Sequence, residues 1–403
     1  MSSPSPLRGT FLCLFLLLVL LWPVPARSQE RTCSPGALRL GMSTALSGPA
    51  ARLGHNMRAG VLAALAEVNR QGGVRGRPLC LISLDDGYEP ERVVPNMHTL
   101  IEREGVLAVI GNVGTPTAVA AAPIASRFRT PFYGAFTGAG LLRKSPPERY
   151  VVNYRASYAE ETAAMVDALI RQGGLKPREI AFFTQRDAFG DAGYAGGMAA
   201  LRRHGLKDER QIVHGRYERN TVAVENGLAD ILLADPEPKA VIMVGTYAPC
   251  AAFVKLARAH GLRSLLLNVS VVGGEPFAEK LGPAGDGVIV TQVVPHYRSE
   301  LPIARDFNRA LAACSPKAAP TFGAFEGYIA TRIFLRALRT IPGDPAREKV
   351  IDALEGLGRF DLGLGTPLVL SREEHQASHR VWPTIIRKGK LVPFRWEDLK
   401  SSR

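Results

Sequence analysis

The chain is short of the features that mark most enzymes and membrane proteins. Its 403 residues contain no G-x-S-x-G nucleophile elbow, no phosphate-binding P-loop and no H-E-x-x-H zinc motif, which excludes the commonest serine hydrolase, nucleotide hydrolase and zinc protease signatures. His375 and His379 stand four apart in EEHQASH, but the zincin order is missing, and a turn or surface role is expected rather than a metal site. Gly72, Gly73 and Gly76 follow a helical stretch instead of joining strand to helix, so they make no dinucleotide fingerprint. Asp85 and Asp86 read as turn residues beside Gly87 rather than as a catalytic carboxylate pair. No catalysis, cofactor or metal is expected. Beyond the N-terminus no apolar run is long enough to cross a bilayer.

Acid is also in short supply. Lys+Arg 50 against Asp+Glu 37 leaves a formal charge of +13. The basic residues are scattered, with no Lys/Arg run interleaved with aromatics, so a solvated basic surface is expected and no nucleic acid partner. Cysteine is rare, at five residues. Cys13 falls inside an apolar leader, and the other four, Cys33, Cys80, Cys250 and Cys314, match no zinc spacing. Four cysteines in an oxidising compartment allow three full pairings, and free buried thiols are an alternative. Sequence neighbourhood favours Cys33 with Cys80, because both precede or begin neighbouring strands.

What is present begins with a targeting segment. Arg8 precedes FLCLFLLLVLLW (Phe11–Trp22), twelve apolar residues that suit a signal-peptide core and are too few for a membrane span. Pro23 and Pro25 break the run, and Ala26 and Ser28 are small residues placed for cleavage. Residues 1–28 are therefore expected to be removed, giving an exported, unlipidated chain that starts at Gln29.

The remainder alternates strands and helices. Leu38–Thr44, Leu79–Leu84, Val106–Ile110 and Phe132–Ala135 read as buried parallel strands, with helices over Gly54–Asn69, Pro90–Arg103 and Ala118–Arg127. A second alternation runs from Tyr158 to Asn268, and the apolar run Gly287–Val294 is expected to cross back. Two blocks of repeated β–α units imply an α/β fold of two doubly wound parallel-sheet lobes. In such sheets ligands bind beyond the carboxyl ends of the strands. In VLAVIGNVGTPTAVAAAPIASRFRTPFYGAFTG, Thr115 and Thr137 both fall there. Thr115 sits at the expected N-cap of a helix whose first residue is Pro116, and free N–H groups at such a start suit a carboxylate.

The stretch LRLGMSTALSGPAARLGHNMRAGVLAALAEVNRQGGVRGRPLCLISLDDGYEPERV resembles the start of the leucine/isoleucine/valine-type (type 1) periplasmic solute-binding proteins of ABC importers. IGNVGTPT, PFYGAFTG, DAFGDAG, VGTYAP and LLLNVSVVG follow in that family's order and spacing, so the resemblance covers nearly the whole mature chain. It implies two lobes joined by a three-strand hinge, a periplasmic location, a membrane permease as partner, a small-molecule ligand and a monomer. A sensory module using the same fold is the alternative, and an enzyme a more distant one. The implied division is a signal peptide over 1–28, lobe I over 36–153 plus 290–372, and lobe II over 154–289 plus 373–398.

The resemblance also implies a site. Thr115 matches the residue holding the ligand carboxylate, and Ala135 and Thr137 the pair in the next loop. Phe189 and Tyr247 match second-lobe aromatics that close over the ligand, and Leu53 a residue against its side chain. Ser270 stands where amino-acid binders carry the acid that pairs with the α-ammonium, and a hydroxyl is a poor substitute for that acid. A carboxylate ligand without an α-ammonium is therefore expected, unless Glu160, Glu161 or Glu275 takes over. The family's disulfide pair is missing as well: Tyr88 and Gly114 occupy its positions.

Overall fold

The structure, a computed structural model, describes residues 33–402. The expected signal peptide and the expected start at Gln29 lie outside the described residues.

The first block runs β1 (Leu38–Thr44), α1 (Ala51–Arg70), β2 (Leu79–Asp85), α2 (Pro90–His98), β3 (Ala108–Ile110), α3 (Thr115–Arg127), β4 (Phe132–Tyr133) and β5 (Val151–Val152). Its five strands form one parallel sheet in the order β2-β1-β3-β4-β5. The strands are short and apolar because both faces are covered, which is what a parallel sheet between helices demands. β1 has one exposed position, Arg39, and is otherwise buried.

The second block runs α4 (Tyr158–Arg171), β6 (Ile180–Gln185), α5 (Ala188–Arg203), β7 (His214–Tyr217), α6 (Glu225–Leu232), β8 (Ala240–Val244), α7 (Tyr247–Ala259), β9 (Leu265–Asn268), α8 (Gly274–Leu281) and β10 (Ile289–Gln292). The chain then forms α9 (Pro302–Cys314), α10 (Phe322–Thr340), α11 (Arg347–Glu355), β11 (Gly358–Phe360), β12 (Leu368–Leu370), β13 (Trp382–Arg387) and β14 (Lys390–Pro393). The second sheet has the order β14-β13-β10-β9-β8-β6-β7, parallel from β10 to β7, with β13 antiparallel to β10 and to β14. α9 and α10 return to pack on α1, beside the first sheet.

The chain thus passes between the two sheets three times. Asn153 bridges Gln376 in parallel, Ser378 N–H donates to Tyr154 O at 2.8 Å, and the Tyr154 hydroxyl donates to Val293 O at 3.1 Å. Those contacts tie the three passages side by side, as a hinge of this fold requires.

Several local expectations are corrected. The apolar run Gly287–Val294 crosses only at its end: its centre is β10, held inside the second sheet between β9 and β13, and Val293 past it lies in the passage between the sheets. The N-cap of α3 is Gly114 at φ 103°, and Thr115 is the first helical residue. The left-handed backbone suits glycine, and the Thr115 hydroxyl is used elsewhere. α8 was not anticipated, since eight residues bounded by glycines carry too little periodicity. The Cys33–Cys80 disulfide is formed, while Cys250 is buried and free and Cys314 is half-buried and free. Asp85 is the last residue of β2, and its carboxylate holds the turn that follows, accepting from the backbone of Leu46, Ser47 and Gly87. At Tyr88 and Gly114, where the resemblance leads us to expect no disulfide, the Tyr88 ring lies so close to Gly114 that a Cβ there would come within 2.1 Å of it.

Candidate functional site

The loops after β3 and β4 bring two hydroxyls together. Thr115 Oγ1 lies 2.6 Å from Thr137 Oγ1, and the Tyr158 hydroxyl lies 3.3 Å from the first and 3.2 Å from the second. Tyr158 opens α4, so it reaches this cluster from the second block. All three side chains are fully buried. Burial pushes the Tyr158 phenol above its ordinary range, while Arg155 and the two threonines oppose that shift, so the phenol stays neutral. Phe189, placed by the Asp187 cap of α5, packs its ring 5.1 Å from the Tyr158 ring.

Leu53 and Tyr247 stand on facing elements. Leu53, at the start of α1, fits against Gly273 of the second block, where a Cβ would come within 2.5 Å of its methyl. Tyr247 is buried at the start of α7, beside Arg52. Ala135 is different. Its methyl packs in the smaller apolar core with Val109, Ala118 and Phe132, so only its backbone belongs to the loop that carries Thr137.

Ser270 is buried and already occupied. Its N–H donates to Glu161 Oε2 at 2.8 Å and its hydroxyl to Glu161 Oε1 at 2.9 Å, and Arg155 Nη2 also meets that hydroxyl. Glu161 Oε2 further accepts from Thr291 Oγ1 at 2.5 Å. Arg155 is fully buried, with Glu161 at 3.4 Å, Glu326 of α10 at 3.6 Å, and its guanidinium 4.8 Å from the centre of the Phe136 ring. Phe136 sits between Ala135 and Thr137, so this charged cluster adjoins the hydroxyl cluster. Burial holds the Glu326 carboxyl up at about 7, against the pull of Arg155.

The other two acids expected as rivals are engaged too. Glu160 closes the capping box of α4 and accepts from Gln376 and His379. Glu275 accepts the Phe322 N–H, and burial raises its carboxyl to about 7. His375 and His379 serve as hydrogen-bonding residues, to Val151 O and Glu355 and to Glu160 and Glu374 respectively.

Facing rims meet around these clusters. Glu89 accepts from Arg219 and Asn220, each at 2.6 Å, Arg52 pairs with Glu279 at 3.2 Å, and Gln185 Nε2 reaches the Tyr88 hydroxyl at 3.4 Å. Tyr158 and Arg155 were not anticipated as site residues. The local signal was faint: one arginine between a buried crossing strand and a capping box, and one tyrosine at a helix start.

Two parallel-sheet lobes, three crossing segments and buried polar clusters at the strand ends define a solute-binding protein of the type 1 periplasmic-binding fold. The chain belongs to the periplasmic binding protein family, whose model matches residues 37–390. It is similar to the crystal structure of a possible leucine/isoleucine/valine-binding protein from Rhodopirellula baltica SH 1, at 51% identity and a TM-score of 0.88, covering 92% of this chain and 100% of that one. A substrate-binding periplasmic protein from Ralstonia solanacearum superposes with a TM-score of 0.81 at 29% identity, over 88% and 99% of the two chains. Among curated relatives, the leucine-specific-binding protein of Salmonella typhimurium is 24% identical over 63% of this chain and 66% of its own length. A Leu/Ile/Val-binding protein homolog of Brucella abortus is 23% identical over 90% of each.

Proposed function

We propose that this protein is the exported binding component of an ABC importer, and that it captures a small carboxylate-bearing acid without an α-ammonium group. The ligand is taken up between the lobe built on the first sheet and the lobe built on the second, with β10 in the second lobe rather than in lobe I as the division at 290 would have it, and the closed form docks on a membrane permease. The protein acts without catalysis of its own.

Thr115 and Thr137 present hydroxyls, and the loop carrying Ala135 presents backbone, to the carboxylate; Tyr158 adds a third hydroxyl. Leu53, Phe189 and Tyr247 surround the body of the ligand. A ligand that touches both lobes favours the shut state by its differential affinity, so capture and closure are one equilibrium.

The observation that carries the ligand class is Ser270. No carboxylate stands at that position, and the one behind it, Glu161, is spent on Ser270, Thr291 and Arg155. A desolvated ammonium there would meet a hydroxyl and a guanidinium instead of an acid, which is unfavourable on both charge and hydrogen bonding. Calorimetric titration of amino acids against their deaminated analogues tests this: leucine against 4-methylpentanoate, phenylalanine against phenylpropionate. The acid of each pair is expected to bind more tightly; tighter binding of the amino acid overturns the reading.

A further inference from the structure

Arg155 carries spare donor capacity in a place where spare donors are costly. Its side chain is fully buried. Nη2 is used by Glu161 and Ser270. Nη1 makes no hydrogen bond among the described residues, and Nε makes none either, its contact being the longer one to Glu326 at 3.6 Å. A buried guanidinium N–H without an acceptor is destabilising, because it has given up its water and gained nothing. Most buried polar groups in folded chains have a partner, so an unmet one asks for an explanation, and a bound ligand is one.

The position of the guanidinium indicates where that partner would come from. It lies over Phe136, the residue between Ala135 and Thr137, and it touches Ser270, so it borders both the hydroxyl cluster and the place opposite it. A ligand whose carboxylate lies at Thr115 and Thr137 would bring its neighbouring carbon toward Arg155 and Ser270.

Charge and hydrogen-bond chemistry then narrow the group on that carbon. An ammonium brings three donors and a positive charge against a positively charged donor. A second carboxylate would be a third acid beside Glu161 and Glu326, which already flank this guanidinium, with Arg143 as the other cation near Glu326. A neutral oxygen acceptor satisfies the spare N–H and adds no charge. We infer that Arg155 is a specificity-determining ligand contact, and that it selects acids bearing a keto oxygen on the carbon next to the carboxylate. This rests on the organic-acid reading above and narrows it to 2-oxo acids.

The test uses the full mature protein and two matched series: 4-methyl-2-oxopentanoate, 4-methylpentanoate and leucine, then phenylpyruvate, phenylpropionate and phenylalanine. In the wild type each oxo acid is expected to bind about tenfold more tightly than its deoxy analogue, as one charge-assisted hydrogen bond provides. In Arg155→Lys, which keeps the charge but not the planar fork, the ratio of the two affinities is expected to fall below about threefold. A ratio is read within one variant, so a general loss of affinity leaves it unmoved. Arg155→Met is the second variant, and if neither folds the wild-type ratio decides alone.

An oxo acid no tighter than its deoxy analogue, or a ratio that survives both substitutions, overturns the inference. If the deoxy acids bind in that case, the organic-acid reading stands without it. Tighter binding of the amino acids, or no binding by any of the six compounds, overturns both.

Discussion

Glu161 holds Ser270 at two points, accepting its backbone N–H at 2.8 Å and its hydroxyl at 2.9 Å across 109 residues of sequence. Ser270 is thus built into the protein's own polar interior. Removing the acid behind it strands Arg155, the Ser270 amide and Thr291 together. Glu161→Ala is expected to lower stability by about 3–5 kcal/mol, the range for breaking a buried charge pair, read as a shift in the urea midpoint at unchanged slope. Ser270→Ala should cost far less, because the amide bond to Glu161 remains. Equal costs for the two would mean that Glu161 is not the centre of this network.

Thr137 lies in a loop, and its side chain makes its hydrogen bonds through Oγ1, with Thr115, Tyr158 and the Ala139 N–H. Thr137→Ala is expected to leave the fold intact and to weaken binding of the preferred acid by about 1–3 kcal/mol, the cost of a buried charged acceptor short of one donor. Unchanged affinity by calorimetry would reduce Thr137 to a turn residue that happens to touch Thr115.

Glu89 joins Arg219 and Asn220 only when the rims meet. These groups are partly exposed, so the pair contributes about 0.2–1 kcal/mol. Glu89→Gln is expected to weaken binding up to about fivefold through faster ligand release, and the difference should shrink as salt screens the pair. A salt-independent loss measured by stopped-flow release would point to a different role.

His379 and Glu160 make a pH-dependent contact at the third crossing, with Nδ1 and Oε1 2.6 Å apart. Burial alone would raise the Glu160 carboxyl, but bonds from His379, Ser157 and Gln376 bring it down to about 2. Glu160 in turn raises the His379 imidazole above its ordinary value. Glu160 therefore contributes stability above its unfolded pKa near 4.3, lost as pH falls toward 2. His379 contributes below its unfolded pKa near 6.5, lost as pH rises through its higher folded value. The destabilisation caused by His379→Ala is expected to be largest between about pH 5 and 6.5 and to dwindle as pH rises past the raised pKa of the folded imidazole. A flat difference in melting temperature over that range would show that the imidazole carries no charge in this contact.

The Cys33–Cys80 bridge closes a sequence separation of 47 residues. On the chain-entropy account such a loop is worth about 4 kcal/mol. Reduction, or Cys33→Ser with Cys80→Ser, is expected to lower the unfolding free energy by about that amount. Mass spectrometry after non-reducing digestion should find this bridge and leave Cys250 and Cys314 as thiols.

Much of this fold is legible in the sequence because its signals are local. Leu38–Thr44 and Ala240–Val244 are apolar because parallel strands are covered on both faces, and Ser157 and Glu160 cap α4 within one turn. Thr115 and Thr137 could be placed at strand ends for the same reason, from the glycines and prolines beside them. Arg155 could not be found this way. Its burial depends on Glu161, six residues away, and on Glu326, Ser270 and Phe136, which come from other elements. Gly114 in place of Thr115 as the cap of α3 was hidden likewise, since Tyr88 and Thr137 decide it.

The sequence by itself determined the alternation of strands and helices, the two blocks, the loops that carry Thr115 and Thr137, and the absence of an acid at Ser270. Periodicity and turn chemistry act over a few residues, and every copy of the chain displays them before it folds. Only the tertiary structure decided which polar groups are left unpaired once folded. That property belongs to no single residue: a guanidinium in water has all its donors satisfied, and Arg155 has an unmet N–H because folding buries it where the neighbouring acids are already engaged.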